Sequence, residues 1–505
     1  MADASSRPSP AHVGRKSLGG GAWLGLAKLW FLVAGYALNV ALTHLVTESI
    51  YGQYQTVARA VAVPNMVIIY TIMFAVSRPL SEQLDDGCPA YTAIRRKGFR
   101  LALGLGVLST VLTLALAPWL AGWWDDDTLV APLCVVAPIS LVYALYAVNV
   151  GTLNGTRRFS RQAALDVTMA TLKATLMAAA AVLALGLPAI VGGFTLAAVA
   201  ALALSFVLVG RARPPGDTGA AAPAMTGFAA ALVLFTAALN LLQSVDLMVL
   251  SSASETAARK DAVGYYSSAQ LVALVPYSLM NAAALVAFPF VASLAGKGQD
   301  RGGDERARDY IRATGATTLT LLALMSSIVA AAAPEVQRLL FPGAYATAAS
   351  HLRLLVLGYS GYSFANTVAW ICNSAGNRRA ALGLVSLPLA TVVPLLLVLC
   401  PERHAEGAAI AVATAGSLAV VGALAALRVV FRAAVPWAHL AKLALAVGVV
   451  LGLGHVLVVP TAGLVGKLAI LGKLLALGVA FVGVVMATRA VTVAQLRQLR
   501  EPRRG

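Results

Sequence analysis

The chain has 505 residues, of which 59% are hydrophobic and only 12% charged, with a formal net charge of +17. Soluble proteins carry roughly 25% charged residues. At a mean hydropathy of +0.80 this chain cannot cover a water-facing surface with polar groups, so lipid is its solvent. The hydrophilic segments are too short to build a basic nucleic-acid surface or a soluble output domain, and the positive charge reads as orientation in a membrane.

A spanning helix needs about 20 mostly apolar residues, and runs of that kind follow one another along the chain. Residues 1–19, with Ser5, Ser6, Pro8, Pro10 and Arg15-Lys16, read as a disordered cytoplasmic tail. They do not read as a cleaved signal, because the next apolar run is too long and lacks a small-residue cleavage site. Six predicted spans follow at 20–45, 57–80, 98–122, 129–152, 163–187 and 190–211, giving an N-terminal bundle over 20–211. A cytoplasmic linker at 212–225 leads to six more, at 226–250, 264–294, 309–333, 350–374, 378–400 and 406–431, a second bundle over 226–431. Two additional spans, 438–458 and 463–488, occupy 432–488, and a basic cytoplasmic tail fills 489–505. The expected fold class is an all-α polytopic membrane protein of about 14 transmembrane helices: two six-helix bundles in a pseudo-two-fold arrangement plus two C-terminal helices.

The loops alternate in basic charge. Arg15-Lys16, Arg95-Arg96-Lys97, Arg157-Arg158, Arg211, Arg213, Arg301 through Arg312, Arg378-Arg379, Arg428, Arg432 and Arg503-Arg504 fall on one side; Asp125-Asp126-Asp127 and little basic charge fall on the other. The imbalance is roughly four to one, as the positive-inside rule expects, and it places both termini in the cytoplasm.

Two echoes suggest an internal repeat. "YGQYQTVARAVAVP" at Tyr51–Pro64 matches "VGYYSSAQLVALVP" at Val263–Pro276, aligning Gly52 with Gly264, Tyr54 with Tyr266 and Pro64 with Pro276. "NGTRRF" after the fourth span is answered by "SAGNRRAAL" after the tenth. Each pair is six spans apart, so the two halves share an orientation, which is a plan of transporters that work by alternating access.

Polar residues inside apolar spans are costly, by roughly 2.5–3.5 kcal/mol for a central charge, and mark interiors or cavities. In the first span Lys28, Tyr36, Asn39 and Thr43 form one stripe. Arg78 lies at the inner end of the second span. In the fifth, Asp166 and Lys173 share a face roughly 10 Å apart. In the seventh, Asn240, Gln243 and Asp246 cluster, with Asp246 the ionisable candidate for ion coupling. In the tenth, Tyr359, Tyr362, Asn366, Trp370 and Asn373 lie on one stripe, where rings beside amides suit sugar faces and hydroxyls or simply pack a bundle. Arg353 points off that stripe. Cys88, Cys134, Cys372 and Cys400 are scattered and show no metal-ligand spacing. The sequence carries no nucleophile elbow, P-loop or HExxH, so neither an enzyme, an ATP-driven motor nor a cofactor is expected.

"YGQYQ", "VDLMVLSSASETAARKDAVGYYSSAQLVALVP" and "LLFPGAYATAASHLRLLVLGYSGYSFANTVAWICNSAGNRRAAL" resemble the Wzx-type polysaccharide flippases of the multidrug/oligosaccharidyl-lipid/polysaccharide exporter superfamily. The resemblance covers residues 20 to 430. It implies a bacterial inner-membrane protein that moves undecaprenyl-pyrophosphate-linked oligosaccharide, for O-antigen or exopolysaccharide, from the cytoplasmic to the outer leaflet. It further implies a cationic cavity, which Lys28 and Lys173 would fit; no family motif fixes these positions, and the spacing of polar residues alone puts Lys28, Asn39, Arg78, Lys173, Tyr359, Tyr362, Asn366 and Trp370 toward the substrate. Proton or sodium coupling is also implied, for which Asp246 and Asp166 are the candidates among the residues, and a polysaccharide polymerase is an expected partner. Two alternatives stand beside it. A lipid II flippase of the MurJ type also has fourteen spans, but its basic first-span pattern is not found here. An ion-coupled multidrug extruder has a first-span carboxylate, whereas this first span offers only Glu48 at its outer edge. If Lys173 contacts the anionic head, Lys173→Ala impairs export of surface polysaccharide while leaving membrane insertion intact; normal polymer on cells carrying the variant would remove Lys173 from the mechanism.

Overall fold

Backbone N–H and C=O groups have no water partners in hydrocarbon, so apolar segments of this length must be helical. The computed structural model of the chain has helices and no strand among the residues it describes, which are 10–489 apart from 85, 211–212, 224–225, 254–256 and 297–300. The basic tail from residue 490 on, with Arg503-Arg504, and residues 1–9 lie outside the described residues. By backbone contacts the chain divides into two compact units, Met1–Asn240 and Leu241–Gly505.

The first unit contains α1 (Pro10–Leu45), α2 (Glu48–Glu82), α3 (Tyr91–Trp123), α4 (Val130–Val136), α5 (Ile139–Gly155), α6 (Phe159–Val182) and α7 (Gly186–Val209). Helix α1 begins within the stretch expected to be a disordered tail: a proline suits a first helical position, where its missing N–H has no partner to lose. In this unit α2 packs on α5, α3 on α5, α1 on α6 and α6 on α7. Small residues permit the closest of these crossings. A Cβ on Gly151 would fall 2.7 Å from the Met73 carbonyl, and one on Gly155 2.7 Å from that of Ser77. Van der Waals contact between backbones is what drives helices together when lipid offers no hydrophobic advantage.

Helix α8 (Thr226–Leu242) carries the chain across the boundary between the units. The second unit continues with α9 (Val245–Ser252), α10 (Ala257–Gly296), α11 (Arg301–Ala331), α12 (Ala333–Leu340), α13 (Ala349–Ser374), α14 (Arg378–Val429), α15 (Trp437–Val456) and α16 (Gly463–Ala487). Here α13 packs on α10, α11 and α14, and α15 joins α11 to α16. The α13–α14 crossing is the tightest in this unit: a Cβ on Gly361 would lie 2.1 Å from the Gly416 carbonyl oxygen.

Ten helices among the described residues are long and apolar enough to cross a membrane, or eleven if the bent pair α8–α9 is one span. The expected count of about fourteen differs from this at three places. Helix α14 is 52 residues long and loses helical geometry at His404 (φ 47°, ψ −125°), so it joins two of the expected spans. Helix α10 lies partly where side chains are not described, and α13 carries the polar stripe that lowers its hydropathy.

The second sequence echo is a shared turn. After α5, Thr156 N–H donates to Thr152 O, Arg157 N–H to Asn154 O and Arg158 N–H to Leu153 O. After α13, Ala375, Gly376 and Asn377 donate in the same order to Ile371, Asn373 and Cys372. Both are Schellman-type caps with a left-handed residue, Arg157 at φ 54° and Gly376 at φ 79°. Only the second half uses the residue for which that conformation is unstrained.

The linker is pinned within the first unit. Thr218 and Ala220 N–H both donate to the Pro89 carbonyl at 3.1 Å. Asp217 accepts from the Thr92 hydroxyl and from the Thr92 N–H at the start of α3, where α3 has no side-chain cap of its own. The Thr92 hydroxyl foremost, with the Thr92 and Gly219 amides and Arg213, holds the Asp217 carboxyl below its ordinary value. A depressed pKa means the contact is fully present above the unfolded value of about 3.9 and is lost as pH falls through the folded one.

Two outcomes follow for stability. Gly361→Val should cost about 1–3 kcal/mol by forcing α13 off α14, seen as a lower unfolding temperature of the detergent-solubilised protein; an unchanged temperature would contradict the close crossing. Asp217→Ala should raise amide exchange at Thr92 and Thr218 at neutral pH, and the wild-type protein should show the same loss only below about pH 4; equal exchange in the two proteins at neutral pH would show the linker is held otherwise.

Candidate functional site

Helices α1 and α6 of the first unit bring two of the sequence candidates together. Lys28 Nζ lies 2.8 Å from Asp166 Oδ2, with the carboxylate side chain 8% exposed and the ammonium-bearing side chain 58% exposed. Tyr146, from α5, lies within electrostatic reach of the same carboxyl group. Beside the pair, Trp30 Nε1 donates to Thr171 Oγ1 at 3.0 Å. The sequence placed Asp166 and Lys173 on one face of α6; the structure turns Asp166 toward Lys28 and seats Lys173 on an aromatic floor. Lys173 Nζ sits 4.2 Å from the Phe194 ring centroid, and Tyr143 meets Phe194 edge-on at 5.9 Å. An aromatic face attracts a cation by its quadrupole without neutralising the charge. Among the described residues Lys173 has no carboxylate within ion-pair distance.

Asn39 belongs to a separate chain of amides and hydroxyls. It donates to Gly35 O at 2.8 Å and accepts from Gln55 Nε2 at 2.7 Å, and Gln55 also donates to Tyr51 Oη at 2.8 Å. Arg78 lies at the surface, where its Nε reaches Glu82 Oε1 at 2.8 Å, one turn on in the same helix.

In the second unit Asp246 is fully buried. The Tyr266 and Tyr359 hydroxyls each donate to its Oδ2 at 2.7 Å. Gln270 Nε2 bridges both carboxyl oxygens at 3.0 and 2.9 Å and reaches Tyr359 Oη at 2.7 Å. Asn240, Gln243 and Asp246 were expected on one continuous helix. The chain breaks between Leu242 and Val245, so Asn240 donates to Thr236 O in its own helix and Gln243 to Tyr277 Oη. The α13 stripe also differs from an open sugar platform: Tyr359, Tyr362 and Asn366 are buried, with the two tyrosine rings perpendicular at 5.6 Å, and Trp370 is half-buried.

Several partners escaped sequence reasoning. Tyr266 was noticed as half of the repeat, but not as a donor to Asp246. Gln270, Tyr146 and Phe194 carried no signal of their own. Lys473 did, as the more central of two lysines, with Lys467, in the last apolar run. It is 4% exposed, and its Nζ lies 2.5 Å from Glu335 Oε1 and 2.9 Å from Gly454 O.

Comparisons with known proteins place this geometry. Among solved structures, the fold is similar to "Lipid II flippase MurJ, inward closed conformation", with TM-score 0.69 and 15% identity over 92% of this chain and 98% of that one. It is also similar to an inward-facing multidrug resistance MATE family transporter of the MOP superfamily, with TM-score 0.65 and 15% identity over 80% and 95%. A MOP superfamily transporter from Pyrococcus furiosus gives TM-score 0.62 and 15% identity over 82% and 96%. No curated protein sequence matches significantly. The family profile described as "Polysaccharide biosynthesis protein" matches residues 93–348, half of the chain. The chain therefore belongs to the polysaccharide biosynthesis protein family, on a membrane fold it shares with MurJ and the MATE transporters.

Proposed function

We propose that the protein is a flippase of the bacterial inner membrane, with both termini cytoplasmic, that moves polyprenyl-pyrophosphate-linked oligosaccharide from the cytoplasmic to the outer leaflet by alternating access. The observation that carries this reading is Lys173, a half-buried ammonium held by the Phe194 ring and lacking a carboxylate partner among the described residues. A desolvated cation without a counter-ion favours an anionic ligand, and a pyrophosphate is that ligand in lipid-linked sugars. Family membership supports the sugar cargo.

In this account the pyrophosphate meets Lys173 and competes with Asp166 for Lys28. Once Lys28 turns to the ligand, Asp166 is a buried carboxylate without its cation. Asp166 is the first candidate in this reading for coupling transport to a proton or sodium ion. Arg78 offers a first contact for the head at the cytoplasmic end. Asn39 with Gln55, and Tyr359, Tyr362, Asn366 and Trp370 once their helix opens, offer amides and rings to the sugars. Asp246, ringed by neutral donors, is the second coupling candidate for a proton or sodium ion. A polysaccharide polymerase would take the product.

A lipid II flippase is the second reading, favoured by the MurJ likeness over 92% of this chain, against 80% and 82% for the two other transporters. The two readings predict different cargo for the same site.

Lys28→Ala should lower flipping in reconstituted vesicles by roughly tenfold or more, the scale of one charge-assisted contact. Asp166→Asn should leave substrate bound but flatten the dependence of flipping on an imposed pH gradient; a gradient response equal to wild type would remove Asp166 from coupling. Asp246→Asn keeps the acceptor for Tyr266 and Tyr359 and loses the ionisable group. If Asp246 couples transport, this variant should fold normally and lose its ion dependence, and an unaltered dependence assigns Asp246 a purely structural role.

A further inference from the structure

The second unit contains a half-open cavity of about 470 Å³ that no step above uses. Helices α11, α12, α13, α15 and α16 supply its wall, which is mostly apolar. Five polar side chains line it: Ser327, Glu335, Arg353, His455 and Lys473. Lys473 is fixed by Glu335 and the Gly454 carbonyl, which use two of its three donors. Arg353 makes no hydrogen bond or ion pair among the described residues. Around these groups Leu357, Leu451 and Val458 are exposed, as lipid-facing residues are. The cavity thus joins an unpaired guanidinium and a lysine with a spare donor to a greasy wall, and Glu335 offsets only one of the two positive charges.

We propose that this cavity binds the phosphodiester head of a glycerophospholipid, its phosphate on Arg353 and the free donor of Lys473, its acyl chains along Leu357, Leu451 and Val458. A planar guanidinium matches phosphate oxygens two at a time, and a lipid supplies the apolar half of the ligand that a soluble anion lacks. Arg353 stands near the start of α13, whose other end leads to Arg378-Arg379. The positive-inside rule puts those arginines in the cytoplasm, so the lipid comes from the outer leaflet. Bound there, it fills the gap between α13 and the pair α15–α16.

The test uses the full chain in mild detergent, with phosphatidylglycerol, inorganic phosphate and polyprenyl phosphate as separate probes, read by native mass spectrometry and thermal unfolding. Phosphatidylglycerol should remain bound to the wild-type protein and raise its unfolding temperature. Arg353→Gln, at an exposed position, should unfold at the wild-type temperature without lipid and bind phosphatidylglycerol roughly tenfold more weakly, and Arg353→Lys should retain more binding than Arg353→Gln. Equal retention by the glutamine variant would overturn the proposal. So would competition by inorganic phosphate alone, which would make this a site for soluble anions, or binding of polyprenyl phosphate in place of phosphatidylglycerol, which would make it a site for transported lipid.

Discussion

In hydrocarbon every polar group must find its partner within the protein, and the side chains of this chain are organised by that demand. Three buried ionisable residues answer it in three ways. Asp166 takes a cation from another helix, Lys28, across the α1–α6 contact. Asp246 takes three neutral donors from α10 and α13. Lys473 takes a carboxylate from α12 and a carbonyl from α15. Each arrangement ties helices together, and at the buried Lys473–Glu335 pair losing one partner would strand a charge, a change that costs about 3–5 kcal/mol. These groups therefore fix which helices are neighbours and in what register.

Against that background the cations lacking carboxylates stand apart. Lys173 rests on an aromatic ring, and Arg353 lines an apolar cavity. The two lie in different units and serve different ends in this account, one for the cargo and one for a resident lipid. The same reasoning leads to both: a charge that a membrane protein leaves unsatisfied is kept for something that arrives from outside the chain. Asp246 represents the opposite case, a buried carboxyl supplied with donors by Tyr266, Gln270 and Tyr359.

Much of the architecture was legible before any coordinates. Apolar runs located the helices, because length and hydropathy are the membrane's own criteria. The "NGTRRF" and "SAGNRRAAL" echo proved to be one hydrogen-bonded cap written twice, since a Schellman turn constrains few residues and tolerates Arg157 where its counterpart has Gly376. What was not legible depends on partners distant in sequence. Helical spacing put Asp166 with Lys173 and Asn240 with Asp246, because it can only pair residues on one helix. It cannot see Lys28 approaching from α1, nor the break in the helix after Leu242. The tyrosines of α13 were correctly read as one stripe, but periodicity does not say whether a stripe faces a cavity or a carboxylate. Ends of helices and residues 10–19 show the same limit, since composition alone favoured a tail where α1 has its first turns.

The central claim is that the chain moves a lipid-linked oligosaccharide across the bilayer. The most direct measurement follows radiolabelled lipid-linked oligosaccharide in cells that lack the protein, with its leaflet determined by accessibility to an added enzyme or probe. The account predicts that the label accumulates on the cytoplasmic side, that the wild-type protein supplied in trans clears it to the outer side, and that the cleared sugar identifies the cargo. Absence of accumulation, with surface polysaccharide intact, would contradict the account and leave the fold as a transporter scaffold put to another use.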